Sequence, residues 1–194
     1  LQEVKEKREL DEEEQELLGR LQTCTPELLK QFSNDVERAK KILRSQAFYD
    51  IDQLEWATNC LHQAMTLISL GYYPAQICFP PIETDIVYKP FMSSEIIESL
   101  DDDQINIYRD VYAMLIRPVM ERERPMMVGI SVVQQKQLIP VFTFCKMIKE
   151  EFPATHITLG GNIITRIRDM LPGMENLWEL FDSAIVYEGE SAYL

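Results

Sequence analysis

Positive charge is scarce: 19 Lys and Arg stand against 32 Asp and Glu, a net charge of −13. A nucleic-acid binder needs a basic face to neutralise phosphates, and no stretch of this chain supplies one. The basic cluster from Arg117 to Arg124 is interleaved with acids. A nucleic-acid partner is therefore set aside, and the acidity is expected to keep the surface soluble. Long apolar runs are also missing. None approaches the roughly 18 residues that a membrane helix needs, so no membrane partner is expected. There is no signal peptide, and Leu1 opens a charged, helix-like segment that reads as part of a longer chain. The four cysteines, Cys24, Cys60, Cys78 and Cys145, include no pair at metal-ligand or redox spacing. They are expected to be reduced, buried thiols of a cytoplasmic protein. The only histidines are His62 and His156.

What is present is enough apolar material, 46% of 194 residues, to build a real core. Residues 1 to 20 are rich in good helix formers, with a thin stripe of Val4, Leu10, Leu17, Leu18 and Leu21; a frayed terminus is the alternative. Thr25-Pro26-Glu27 opens the next helix: Thr caps, Pro suits the first turn and Glu complements the dipole. Val36, Ala39, Leu43 and Ala47 recur at helical spacing, and Phe48 and Tyr49 extend that face. Asp52 with Glu55 suggests a capping box. It precedes a stripe of Leu54, Ala57, Leu61, Ala64, Met65 and Ile68 that ends at Gly71.

Tyr72 to Pro90, with Pro74, Pro80, Pro81 and Pro90, reads as an extended connector, with a short edge strand over Ala75 to Phe79. Ser93 or Ser94 is expected to cap a helix through Leu100. Asp101, Asp102 and Asp103 precede a longer helix that Pro118 kinks or ends. A divalent metal on these three acids is a weak reading, because consecutive side chains diverge and nothing completes a cage.

The last third changes period. Met126 to Val133 is a continuous apolar run, the pattern of a strand buried on both faces. A helix from Leu138 to about Phe152, a strand over His156 to Leu159, a helix over Ile163 to Leu171 and a strand over Ala184 to Tyr187 follow. Leu177 to Phe181 allows one short turn between the last two. Alternating strands and helices imply a parallel sheet. The fold class expected is α/β: a partial doubly wound, Rossmann-like parallel sheet with a helical N-terminal half. The boundary is set near residue 90, giving a helical region and connector over 1–90 and an incomplete α/β domain over 91–194.

In such sheets ligands bind beyond the carboxyl ends of the strands. Three clusters fall there: Ser131, Val132, Val133 and Gln134; Gly160, Gly161 and Asn162; and Glu188, Gly189 and Glu190. Gly160-Gly161 lets a flat ligand approach the backbone, and a helix opening near Asn162 points free N–H groups at a phosphate or carbonyl. Ser131 offers a hydroxyl. The plainer reading of Gly-Gly is that it permits the strand-to-helix turn. No residue is a candidate general base or nucleophile, and no metal ligand set is evident.

The order strand-GIS, helix, strand-LGG, helix, strand-GE, from Met126 to Leu194, resembles the cobalamin-binding domain joined to radical-SAM enzymes. The earlier helical region, with Phe48-Tyr49-Asp50 and Leu70-Gly71-Tyr72-Tyr73-Pro74, is similar to the helical insert of radical-SAM proteins that modify ribosomally made peptides. The resemblance implies cobalamin as cofactor, its dimethylbenzimidazole tail and one corrin face held by Ser131 to Gln134, Gly160 to Asn162 and Glu188 to Glu190. It implies a downstream radical-SAM barrel of the same polypeptide, carrying S-adenosylmethionine and a 4Fe-4S cluster. The three-cysteine cluster for that iron–sulfur centre is not in these 194 residues, so this part is not catalytic alone. It would serve a methyltransferase or oxidoreductase-like enzyme acting on a peptide or small metabolite. Two departures stand out: the Asp-x-His-x-x-Gly signature of a lower axial histidine is absent, and no strand is found upstream of the helical region. A rival reading is an interaction or substrate-docking module on the same scaffold, without cobalamin. A flavodoxin-like or receiver-like domain ranks last: a receiver needs an acidic pocket at its strand ends, and no strand ends in Asp.

Overall fold

The structure is a computed structural model. It describes residues 25–78, 83–90 and 92–189, together with Gln15, Gly19 and Gln22. Most of the helix expected over residues 1 to 20 lies outside the described residues, as do Cys24, Phe79 and Glu190. The chain divides into two compact units, Leu1–Glu83 and Thr84–Leu194.

In the first unit two helices pack together. Helix α1 spans Pro26–Leu43. As the sequence suggests, Thr25 caps it: the Thr25 hydroxyl accepts from the Leu28 N–H at 3.2 Å, and Pro26 occupies the first turn. Helix α2 spans Ile51–Gly71. Its cap is Asp50 rather than Asp52. Asp50 has extended backbone and its carboxylate accepts from the Gln53 N–H at 3.2 Å. That bond and a second from the Gln53 amide hold the Asp50 carboxyl below its ordinary range. The shared core is Ala39, Ile42, Ala57, Cys60 and Leu61, ringed by Val36, Leu43, Ala47 and Trp56. Small residues at the centre let the backbones approach closely. The Arg38 guanidinium lies 4.4 Å from the centre of the Trp56 ring. Burial pushes the Cys60 thiol upward, with the Asp35 charge adding to it. Phe48 and Tyr49 do not continue the apolar face. Extended backbone at Ser45 ends the helix, and the following 3-10 turn Gln46–Tyr49 leaves Tyr49 80% exposed. Past α2, strands β1 (Gln76–Cys78) and β2 (Glu83–Asp85) form a two-stranded sheet, and the division between the units falls within β2.

The second unit begins with helix α3, Ser93–Leu100. Neither serine caps it: the N-cap position is Met92, which makes no side-chain cap bond. The three acids that follow serve three separate ties. Asp101 pairs with Lys146, and Asp103 with Arg109. Asp102 shapes the turn by accepting from the N–H groups of Gln104 and Ile105, both at 3.0 Å, and from the Tyr88 hydroxyl at 2.8 Å. This accounts for the acids without a metal. Buried Asn106 then pins the loop: its amide donates to the Ser99 carbonyl at 2.8 Å and to Thr143 Oγ1 at 2.9 Å.

The next helix runs as α4 (Tyr108–Val111), a π turn (Tyr112–Ile116) and α5 (Arg117–Glu123). Pro118 does not end it. A proline inside a helix lacks an N–H and crowds the carbonyl four residues back; the wider π turn takes up that misfit. The helix stops at Arg124, in left-handed backbone with φ 42°.

Three strands make a parallel sheet in the order β3-β4-β5: β3 is Met127–Ser131, β4 His156–Gly160 and β5 Ser183–Ala184. Helix α6, Leu138–Glu151, connects β3 to β4 and carries much of the core, including Ile139, Phe142, Cys145 and Ile148. This is α/β organisation. β4 is central, with Ile157, Thr158 and Leu159 buried. β3 is not buried on both faces. Among the described residues it lies at the sheet edge with a single strand neighbour, and Met127, Gly129 and Ser131 are exposed while Val128 and Ile130 are half-buried. The helix expected over Ile163 to Leu171 is only α7, Asn162–Arg166. Its β-branched residues are weak helix formers, and Pro172 disfavours helical backbone just before it. 3-10 turns at Leu171–Gly173 and Glu175–Leu180 lead into β5. β5 is shorter than the expected Ala184 to Tyr187. The Ile185 N–H still bonds the Leu159 carbonyl at 2.8 Å, and Tyr187 then turns out with φ 66°.

At the amino end of this sheet a polar cluster ties β4 to β5. Asp182 Oδ2 accepts from Lys149 Nζ and from the Ile157 N–H, both at 2.6 Å. Burial pushes the Asp182 carboxyl up, but these bonds prevail and hold it below its usual value. His156 Nε2 meets Ser183 Oγ at 2.9 Å, and Ser183 Oγ meets Thr158 Oγ1 at 2.8 Å. No helix among the described residues is long and apolar enough to cross a membrane.

Candidate functional site

Because β3, β4 and β5 are parallel, their carboxyl ends share one edge. Ser131 pairs with Gly160 in the register, so the first two loops begin side by side. The first loop is locked by its own side chain. Gln137 Oε1 accepts from the N–H groups of Val133 at 2.7 Å and Gln134 at 3.0 Å. Gln134 and Gln137 form a capping box around the turn Gln135–Gln137. Within this loop Ser131, Val133 and Gln134 are exposed. Val132 is fully buried. Its N–H donates to the Gly160 carbonyl at 2.8 Å and its carbonyl accepts from the Ile163 N–H at 3.0 Å. The Val132 side chain is therefore part of the core and unavailable to a ligand.

The second loop crosses directly over the first. Gly161 has φ 96° and ψ 179°, backbone that glycine alone adopts readily. A Cβ there would lie 2.7 Å from the Val132 carbonyl oxygen, 2.8 Å from the Val132 nitrogen and 2.9 Å from Ser131 Oγ. The missing side chain thus makes room for a neighbouring loop of the protein itself, which is the structural reading of Gly-Gly. Gly160 differs: the nearest atom to a Cβ there is the Ile185 carbonyl oxygen at 3.7 Å, an ordinary contact. Asn162 is exposed at the start of α7. The Ile163 N–H, which the sequence leaves free for a ligand, is taken by Val132.

The third loop joins the other two through α7. The Tyr187 N–H donates to Thr165 Oγ1 at 2.9 Å, and Thr165 Oγ1 in turn donates to the Gly161 carbonyl at 3.2 Å. Glu188 is exposed and Gly189 half-buried. Gln137, Thr165 and Tyr187 belong to this edge and are missed by the sequence reading. The Gln134-x-x-Gln137 spacing is the one local signal that could have found any of them. His156 sits at the opposite end of the sheet, tied to Ser183, and His62 belongs to α2 of the first unit. Among the described residues no group of three or more His, Cys, Asp and Glu could hold a metal.

No family model matches the chain. No curated protein and no solved structure matches it either.

Proposed function

We propose that residues 84–194 form a cobalamin-binding accessory region of a cytoplasmic radical-SAM enzyme, its sheet part of a doubly wound, Rossmann-like arrangement. One observation carries the reading: the carboxyl ends of three parallel strands lead into loops with exposed polar side chains on one edge. Ser131, Gln134, Asn162 and Glu188 would contact the corrinoid there. The residues fit a corrinoid held by its tail and periphery. They do not fit coordination of cobalt by histidine, since neither histidine belongs to that edge. Bound cobalamin would supply a methyl group or an electron to a peptide or small metabolite, with the S-adenosylmethionine and 4Fe-4S chemistry on a barrel of the same polypeptide. The protein's share is to orient the cofactor and keep its surroundings dry.

Titration with hydroxocobalamin, followed by corrin absorbance, tests this. Gly161 is a poor position for a loop-blocking variant, because any side chain there strikes Val132. Asn162→Trp is better, since Asn162 is exposed. Loss of corrinoid binding with an unchanged thermal midpoint is expected; undiminished binding would remove the second loop from the site.

A second reading has its own support. Met126 is 88% exposed, Met127 and Val133 are also exposed, and residues 126–133 carry no charge along an edge strand. Exposed uncharged edges invite pairing, as in a docking module that has dispensed with cobalamin. Concentration-dependent self-association or partner capture that Met127→Lys abolishes, with no corrin absorbance, would favour it.

A further inference from the structure

Tyr187 is out of place by ordinary backbone preferences. It holds φ 66°, a left-handed conformation in which a side chain crowds the backbone. A glycine would take it without that crowding. The position is nonetheless over-determined. The Tyr187 N–H is held by Thr165 Oγ1 at 2.9 Å, and the Arg168 guanidinium lies 5.1 Å from the ring centre. The residue remains 63% exposed, with the guanidinium over one face of the ring. Strained, exposed residues fixed by their surroundings cluster at ligand sites. This one stands at the carboxyl edge of the sheet, one hydrogen bond from Thr165 of α7 and two from Gly161.

The pair has a definite chemistry. A flat, electron-rich ring offers a stacking surface for a heterocycle. A guanidinium beside it suits a phosphate, which it can meet with two parallel N–H donors. Among the described residues Arg168 also pairs with exposed Asp169, at 3.3 Å, a pairing of neighbours that contributes little. In a chain of net charge −13, a cation held at this edge is a specific local feature. We propose that Tyr187 and Arg168 form a subsite for a heterocycle bearing a phosphate, the ring stacking on Tyr187 and the phosphate taken by Arg168. This rests on the corrinoid reading for its natural occupant, the nucleotide tail of cobalamin; a free nucleotide shares the chemistry.

The test compares hydroxocobalamin with cobinamide, which lacks the nucleotide tail, and with adenosine monophosphate, using the whole chain. Tyr187→Gly removes the ring and suits the backbone, so the fold should persist. It is expected to weaken hydroxocobalamin about tenfold or more, the range of one ring stacking on an aromatic side chain, while cobinamide binding stays the same. Tyr187→Phe should behave like the parent, and Arg168→Gln should weaken hydroxocobalamin alone. Equal weakening of both corrinoids by Tyr187→Gly, or no change in either, overturns the subsite. If the parent binds neither corrinoid, the cobalamin reading fails and adenosine monophosphate decides the subsite separately. Binding that Tyr187→Gly abolishes sustains it, and no binding overturns it.

Discussion

Asn106, Gln137 and Gly161 each hold the second unit through specific contacts. Asn106 is buried and bridges Ser99 to Thr143. Asn106→Leu leaves those partners without their donor, and buried polar groups left unpaired cost about 1–3 kcal/mol each. A drop in the chemical-denaturation midpoint of corresponding size is expected. Gln137→Ala frees the N–H groups of Val133 and Gln134, and loss of a cap of this kind costs about 0.5–2 kcal/mol. Hydrogen exchange at those two amides should accelerate while the amides of α6 keep most of their protection. Gly161→Ala places a methyl within 2.7 Å of backbone, in conformation closed to alanine. Its thermal midpoint should fall further than that of Gly160→Ala, whose Cβ meets nothing closer than 3.7 Å. The sequence exposed the glycine pair and the Thr25 cap, because both are local signals. It could not expose which of two adjacent glycines is obligatory. That depends on Val132, nearly thirty positions earlier in the chain.

At the scale of elements, helix periodicity was legible where one face meets a core. α1 buries Ala39 of its stripe and α2 buries Ala57, Leu61 and Ala64, although Phe48, Tyr49 and Ile68 at the stripe ends are exposed. Caps shifted by a residue or two, as at Asp50 and Met92, because the preceding turn decides where helical backbone begins. Strand burial was misjudged for β3: an apolar run does not reveal whether a strand is central or at an edge. The acidic ties between elements lead to a pH prediction. Glu151 is held below its usual carboxylate range, chiefly by hydrogen bonds from Arg117, and Asp182 is held down by Lys149 and the Ile157 N–H. A folded-state pKa below the unfolded one contributes stability above the unfolded value, about 4 for a carboxylate. That contribution is lost as pH falls through the folded value. The second unit should therefore unfold more readily below about pH 4. Glu151→Gln and Asp182→Asn should each lower stability at neutral pH and flatten its acid dependence, as measured by denaturation at pH 7 and pH 3.

At the scale of the molecule, each unit has its own hydrophobic cluster, one built on Ala39 and Ala57, the other on α6 and β4. All three carboxyl-edge loops belong to residues 84–194. A polypeptide of residues 84–194 should unfold cooperatively in denaturant and, if the proposed function holds, bind hydroxocobalamin as the whole chain does; a non-cooperative transition would show that this unit cannot stand alone. The parallel α/β character of the last third was readable from alternating periods. The shortness of β5 and α7 was not, because it reflects a left-handed turn at Tyr187 and crowded β-branched residues rather than any loss of apolar pattern.

The crossing of Gly161 over Val132 also bears on how variation at this edge is to be interpreted. A saturation library at position 161, sorted only for soluble folded protein, should return glycine almost alone, with no cofactor in the medium. The same library at position 162 should return many residues under that sort and few under selection for corrinoid retention. Intolerance at the first position would report the chain's clearance from itself, and intolerance at the second would report a ligand.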